Sequence, residues 1–201
     1  MNKIVAFIAM AVMMTAGSVN AAGDKEAGKT KSATCAGCHG NDGNSSIPLN
    51  PKIAGQSEAY LLKQLQEFKS KKRDNATMYG MVAGLSDQDM QDLAAYYAGN
   101  KTKAGTADET LVTKGEQIYR SGNASKGLSA CIGCHGANGK GIPSAKFPAL
   151  SGQHSDYVIS QLKAFSDGSR ANDGGSMMQN IAGKMNPADM KAVASYIQGL
   201  Q

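Results

Sequence analysis

Two short strings of the sequence, CAGCHG at residues 35–40 and CIGCHG at residues 131–136, each hold two cysteines and a histidine. Together they contain all four cysteines of the chain and two of its three histidines. Thiols react covalently and bind metals, and histidine is a common metal ligand. Because both strings keep the spacing Cys-x-x-Cys-His, we expect one chemistry that the chain carries twice.

Three chemistries explain these strings incompletely. A redox-active Cys-x-x-Cys pair usually lies in a βαβ unit, for which this sequence has no pattern. A structural disulfide suits an exported protein but gives the adjacent histidine no task. A closed zinc site needs four ligands, whereas each string supplies three.

Covalent attachment of c-type haem uses all three side chains of each string. The two thiols bond to the haem vinyl groups, and the histidine binds the iron from the proximal side. The motifs therefore predict two covalently bound haem c groups. The predicted attachment residues are Cys35, Cys38, Cys131 and Cys134, and the predicted proximal iron ligands are His39 and His135.

The rest of the sequence, which forms the elements that position these motifs, contains an internal duplication. Besides the cysteine motifs, PKIAGQSEAYLLKQLQEF at 51–68 matches PALSGQHSDYVISQLKAF at 148–165, with an offset of 97. In the same order, GLSDQDMQDLAAYYAG at 84–99 matches KMNPADMKAVASYIQG at 184–199, with an offset of 100. The second half carries an insertion just before Cys131. A duplication of this length predicts two similar domains.

Each half has the pattern of a helical domain. Tyr60, Leu61 and Leu65 recur at helical spacing, as do their counterparts in the second half. Ser86 with Asp89 predicts a capped helix that runs to about Tyr97. In the second half, Asn186, Pro187 and Asp189 provide the cap, first-turn proline and acidic residue of its partner. Strand patterns are weak, so we expect an all-α fold in which each small domain wraps around its haem.

The N-terminus has the pattern of an export signal. Lys3 precedes the apolar run Ile4–Met14, and small residues follow up to Ala21. This run is shorter than the roughly 20 residues that a membrane span needs. We therefore predict a cleaved signal peptide at 1–21 and a periplasmic protein that begins at Ala22. The predicted domains are 22–99 and 112–201, joined by a polar linker at 100–111.

Charge and composition argue against nucleic-acid binding. Without Lys3 the net charge falls from +5 to +4, and the chain has no Trp for base stacking. The densest basic run is Lys69, Lys71, Lys72 and Arg73, which we interpret as the solvated end of a helix.

The second axial ligand of each iron separates a carrier from a catalyst. Seven methionines follow residue 21, and two pairs of them occupy equivalent repeat positions: Met78 with Met178, and Met90 with Met190. The second pair lies on the apolar face of a predicted helix, which is typical of core residues. We therefore predict Met78 and Met178, in loops, as the distal ligands. Met81 and Met177 are the alternatives in their respective halves.

Two further residue types bear on the iron sites. Pro51 follows His39 by 12 residues, and Pro148 follows His135 by 13. A carbonyl of such a segment can accept from the free ring N–H and fix the histidine, although ordinary loop prolines remain an alternative. His154, the third histidine, has Ser57 as its repeat equivalent, so we interpret it as a surface residue.

With these motifs in place, the chain resembles the tandem class I cytochromes c of the dihaem cytochrome c4 family. The resemblance includes the PKIAGQ and PALSGQ segments and the YLLKQL and YVISQL helices. It implies His/Met ligation of both irons and one-electron transfer in the respiratory chain. It also implies a quinol-oxidising complex as donor, a haem-copper terminal oxidase as acceptor, and loose association with the inner membrane.

Two enzyme-related functions are the alternatives: a dihaem peroxidase, and the haem subunit of a flavin-dependent sulfide dehydrogenase. A peroxidase needs one iron with an open distal site, and equivalent methionines in both halves argue against it. A subunit role leaves no readable motif. We therefore expect a carrier rather than an enzyme.

Overall fold

The computed structural model describes residues 22–201, so the predicted signal peptide at 1–21 lies outside the described residues. Ten α-helices occupy the described part, and short 3₁₀ turns lie between some of them. In chain order they are α1 Lys25–Lys31, α2 Ala33–His39, α3 Glu58–Lys69, α4 Ala76–Val82, α5 Asp87–Ala98, α6 Glu109–Ser121, α7 Ile132–His135, α8 Ser155–Ser166, α9 Met177–Ala182 and α10 Pro187–Gly199.

The predicted all-α class is confirmed. Between residues 22 and 201 there are no β-strands, and only two isolated β-bridges occur, Asn123–Leu128 and Ile142–Phe147. Each half has its own apolar core. In the first half the core forms around Leu61, Leu93 and Tyr97. In the second half it draws only on residues from 118 to 200. No helix in 22–201 is both long enough and apolar enough to cross a bilayer.

The helix-cap predictions hold for both C-terminal helices of the repeats. The Ser86 side chain accepts from the Asp89 backbone N–H, and the Asp89 carboxylate accepts from the Ser86 N–H, so α5 begins with a complete capping box. The Asn186 side chain caps α10 by accepting from the Asp189 N–H at 2.8 Å. The observed start of each helix is therefore encoded locally.

The first and last helices of each half cross at a glycine. A Cβ atom added at Gly28 of α1 would lie 2.0 Å from the Asp92 carbonyl oxygen of α5. One added at Gly115 of α6 would lie 2.3 Å from the Ala192 carbonyl oxygen of α10. Real Cβ atoms do not approach an oxygen so closely, so only glycine permits these backbone contacts.

Gly115→Ala should therefore destabilise the second half, by about 1–3 kcal/mol, because the methyl group forces α6 away from α10. Urea denaturation followed by circular dichroism measures this loss. Gly80→Ala is the matched control, since nothing lies within 4 Å of a Cβ atom at Gly80 and the site is helical. Equal stability of the two variants would contradict the close-crossing explanation.

The segment between the repeats differs from the predicted linker at its C-terminal end. The sequence predicted a linker over 100–111, but α6 already begins at Glu109, because the Asp108 side chain caps it. The rest of the segment is held by both halves. Lys103 N–H donates to the Asn44 side chain at 2.7 Å, and Gly105 N–H donates to the Gln198 carbonyl at 2.9 Å.

A buried polar interface joins the two halves with approximate two-fold symmetry. Two buried arginines lie at its centre, and each donates to a tyrosine and a glutamine of the other half. Arg73 reaches Tyr157 and Gln161, both at 2.9 Å, and Arg170 reaches Tyr60 at 3.0 Å and Gln64 at 3.3 Å. All these partners are related by the offset of 97, so each half offers the same surface to the other, as in an isologous dimer.

Each arginine is also held from its own half. The Arg73 guanidinium lies over the Phe68 ring at 4.6 Å from its centroid, and Arg170 lies over Phe165 at 4.4 Å. Such stacking supports a buried cation without further solvation. The interpretation of Arg73 as part of a solvated helix end is therefore wrong: the lysines before it are exposed, but Arg73 is buried.

One part of the interface departs from this symmetry. Lys63 donates to the Glu67 carboxylate at 2.6 Å and to the Asn172 carbonyl at 2.8 Å, and the Asn172 side chain donates to Glu67 at 2.6 Å. At the offset of 97, the positions that correspond to Lys63 and Glu67 hold Ser160 and Ala164. This charged cluster therefore exists on one side only.

Candidate functional site

Short helices present the cysteine motifs in both halves. Cys35, Cys38 and His39 lie on α2, and in the second half Cys131 is the N-cap of α7, which carries Cys134 and His135. Helical residues at i, i+3 and i+4 share one face, so each motif directs its two thiols and its imidazole to the same side. Each helix ends directly after the histidine.

The turns after the two histidines require glycine. Gly40 and Gly136 both have φ of +79°, a conformation that side-chain-bearing residues rarely adopt. The chain then loops around to bring a proline beside each imidazole. His39 Nδ1 lies 2.9 Å from the Pro51 carbonyl oxygen, and His135 Nδ1 lies 2.9 Å from the Pro148 carbonyl oxygen. The prediction of a proline carbonyl beside each ring is confirmed.

These contacts fix the tautomer of both rings. A carbonyl oxygen only accepts, so Nδ1 carries the proton and donates, and Nε2 keeps its lone pair. Burial lowers the pKa of both histidines, and the hydrogen bond to the proline carbonyl opposes this only in part. Both imidazoles are therefore neutral at pH 7, with Nε2 as the one free donor atom for a metal.

The Cys131 thiol lacks the acidity of a redox cysteine. In the described part of the chain, which includes all four cysteines, every one is a free thiol. Burial raises the pKa of the Cys131 thiol to about 11. Reactive redox cysteines and zinc ligands have lowered thiol pKa values, so this environment favours neither chemistry.

Each motif lies against an apolar wall. Cys35 packs against the first core, as do the half-buried Leu65 and Leu85. Cys131 packs on the second core, and Met178 contacts that same core. The second motif and its predicted distal ligand therefore border the same core.

The environments of the methionines agree with the order in which the sequence ranked them. Met78 and Met178 are half-buried, whereas Met81 and Met177 are 40% and 44% exposed. Met90 and Met190, at 1% and 4% exposure, fill the cores as expected. Whether Met78 and Met178 bind iron stays a prediction.

The expectation that Met78 and Met178 lie in loops is wrong. Met78 is on α4 and Met178 on α9. Their backbone N–H groups donate to the side chains of Asn75, at 2.9 Å, and Asp173, at 2.7 Å. The first backbone N–H groups of a helix have no acceptor within the helix, and these polar side chains accept from them. They thereby stabilise helices that are too short to show periodicity in the sequence.

His154 is not a free surface residue. It is half-buried and precedes α8, and its Nε2 donates to the Ser45 carbonyl of the other half at 2.8 Å. His154 therefore belongs to the interface between the halves rather than to an iron site.

The donor set in both halves fits haem c. Each half offers two thiols that are not joined in a disulfide, one neutral imidazole with Nε2 free, and an apolar wall that suits a flat macrocycle. Bound haem supplies an iron that accepts and releases one electron. The protein residues would hold the group and orient the imidazole.

Sequence reasoning missed the residues between the halves. Arg73, Gln64 and their counterparts Arg170 and Gln161 recur at the offset of 97. The signal that could have identified these residues is their recurrence: each is a charged or amide residue that stands in both repeats without a ligand role.

Comparison with known proteins agrees with the site. The profile of the family described as Cytochrome c matches residues 25–99 and 112–201. Cytochrome c4 of Pseudomonas aeruginosa is 48% identical over 201 residues, which is 100% of both chains. The thiosulfate dehydrogenase electron acceptor of Thiomonas intermedia is 37% identical, over 83% of this chain and 78% of its own.

A solved structure gives the same result. The reduced recombinant cytochrome c4 from Pseudomonas stutzeri superposes with a TM-score of 0.87 at 47% identity, and the match covers 90% of this chain and 100% of that one. Two cytochrome c repeats, each with its own thiol pair and histidine, account for two covalently bound haem c groups. The chain therefore belongs to the cytochrome c family and, within it, to the dihaem electron carriers of the cytochrome c4 type.

Proposed function

We propose that this carrier works in the periplasm, where it takes electrons from a quinol-oxidising complex and delivers them to a haem-copper terminal oxidase. The full-length similarity to cytochrome c4 is the observation that supports this proposal. Export would follow cleavage of the signal peptide between Ala21 and Ala22. A loose association with the inner membrane would keep the carrier near both partners.

In this proposal His39 with Met78, and His135 with Met178, are the axial ligands of the two irons. Cys35 and Cys38 anchor the first haem, and Cys131 and Cys134 anchor the second. Pro51 and Pro148 hold the imidazoles in place through Nδ1, which leaves Nε2 directed to the iron. A thioether opposite a histidine stabilises ferrous iron and gives a high potential, as suits delivery to an oxidase.

A second candidate function rests on one of the similarities. The Thiomonas relative accepts electrons for a thiosulfate dehydrogenase, according to its name, and is similar over most of both chains. In this alternative the same two haems take electrons from a thiosulfate-oxidising enzyme. The acceptor would still be a terminal oxidase, so the two proposals differ only in the electron donor.

Stopped-flow mixing separates the donors. We expect the oxidised carrier to be reduced rapidly by membranes supplied with quinol, and the reduced carrier to be reoxidised by membranes that contain a terminal oxidase. The control is the same oxidised carrier mixed with membranes that receive no quinol. Reduction by a purified thiosulfate dehydrogenase and thiosulfate, with none by quinol and membranes, would contradict the first proposal and support the second.

A further inference from the structure

Two glutamines reach across the boundary between the halves in the same way. Gln56 and Gln153 are equivalent at the offset of 97 and close the repeated segments PKIAGQ and PALSGQ. Both are buried, at 8% and 9% exposure. The electron-carrier function described above uses neither of them.

Each glutamine pairs with the backbone of one residue in the opposite half. Gln153 Oε1 accepts from the Lys52 N–H at 2.9 Å, and its Nε2 donates to the Lys52 carbonyl at 2.7 Å. Gln56 Oε1 accepts from the Ala149 N–H at 2.9 Å, and its Nε2 donates to the Ala149 carbonyl at 2.9 Å. Each Oε1 also accepts from the backbone N–H of the residue that follows its own glutamine, Ser57 or His154. The network therefore fixes which amide atom is oxygen and which is nitrogen.

The paired residues directly follow the two prolines. The Lys52 N–H belongs to the same peptide group as the Pro51 carbonyl, which accepts from His39 Nδ1. The Ala149 N–H likewise belongs to the peptide group of the Pro148 carbonyl, which accepts from His135 Nδ1. One peptide group therefore stands between each histidine and the glutamine of the other half.

We propose that Gln153 and Gln56 are positioning residues that tune the proximal histidine of the opposite domain through this shared peptide group. Gln153 acts on His39, and Gln56 acts on His135. The inference rests on the proposed function of these histidines as iron ligands, and it adds a crossed contact by which each domain acts on the iron site of the other.

The direction of the effect follows from hydrogen-bond cooperativity. When a peptide N–H donates, its carbonyl oxygen becomes more negative and accepts more strongly. A stronger acceptor draws the Nδ1 proton further from the ring and makes the imidazole a better electron donor to iron. Extra donation favours the ferric state, so each glutamine lowers the potential of the haem in the other domain.

Gln153→Met in the full-length holoprotein tests the proposal, because methionine has a similar length but no amide. In the reduced, diamagnetic protein, we expect the His39 Nδ1 proton resonance to move upfield and exchange faster with solvent, while that of His135 stays in place. Voltammetry should show the equilibrium constant for reduction of the first haem rising by roughly two- to threefold. Gln56→Met should give the same changes at His135 and the second haem. This second variant still tests the proposal if Gln153→Met folds poorly.

Gln161→Met is the matched control. It removes hydrogen bonds from Arg73 and Arg170 across the same interface but touches neither proline peptide. Equal shifts of the His39 Nδ1 proton in the control and in Gln153→Met would mean that general loosening of the interface is responsible, and would overturn the proposal. Unchanged proton shifts and potentials in both glutamine variants would overturn it as well.

The wild-type spectrum separates this failure from failure of the ligand assignment. If His39 binds iron, its ring protons are shifted strongly by the haem ring current in the reduced protein. Absence of that shift would contradict the proposed function itself. Its presence, together with unresponsive Nδ1 protons in the glutamine variants, would contradict only the crossed contact.

Discussion

Replacing Cys35 and Cys38 with alanine should leave a protein that carries a single haem, on Cys131 and Cys134. Without thiols in the first motif, no thioether bond forms there, and the first core loses the group that it packs around. The second domain should keep its haem, because its core draws only on residues from 118 to 200. The pyridine haemochrome assay and the intact mass count the covalent haems, and both should fall from two to one.

The complementary variant, with alanine at Cys131 and Cys134, is the control and should keep the first haem instead. Loss of both haems in either variant would show that the halves fold as one unit. The buried interface gives a physical reason for such coupling, since each half contacts the buried arginine of the other, Arg73 or Arg170.

Met178→His should lower the potential of the second haem strongly and leave that of the first haem nearly unchanged. A thioether ligand stabilises ferrous iron, whereas a second imidazole donates more strongly and stabilises ferric iron. Protein-film voltammetry measures both potentials. The far-red sulfur-to-iron absorption band of the oxidised protein should fall by about half, because one of two methionine ligands is lost.

Met177→Leu is the matched control, because the Met177 side chain is next to Met178 in the chain but is 44% exposed, so its replacement should leave the band intact. If Met177→Leu halves the band and Met178→His changes nothing, the repeat alignment is wrong by one residue. If neither substitution affects the band, Met190 becomes the next candidate.

What the sequence could predict was either local or repeated. Helix caps such as Ser86 with Asp89 depend on residues three positions apart, and spacing alone reveals them. The contact between His39 and Pro51 could be inferred because its counterpart in the second half has nearly the same spacing. The two haem groups followed from motifs in which every residue has a chemical task.

The missed features depend on how the two halves meet. Arg73 lies at the end of a basic run, yet it is buried and donates to Tyr157 of the second half. His154 likewise finds the Ser45 carbonyl 109 positions away. Periodicity in one segment carries no information on such contacts. Met78 and Met178 were misplaced for a different reason: helices of six or seven residues are too short to show a repeat.

The charged cluster of Lys63, Glu67 and Asn172 shows what fusion of two copies allows. Two identical separate chains related by a two-fold axis must present every contact twice, or not at all. Joined in one chain, the copies evolve independently, and here the second side holds Ser160 and Ala164 instead. Selection can then change the charge on one side of this interface without changing the other side, which two identical separate chains could not do.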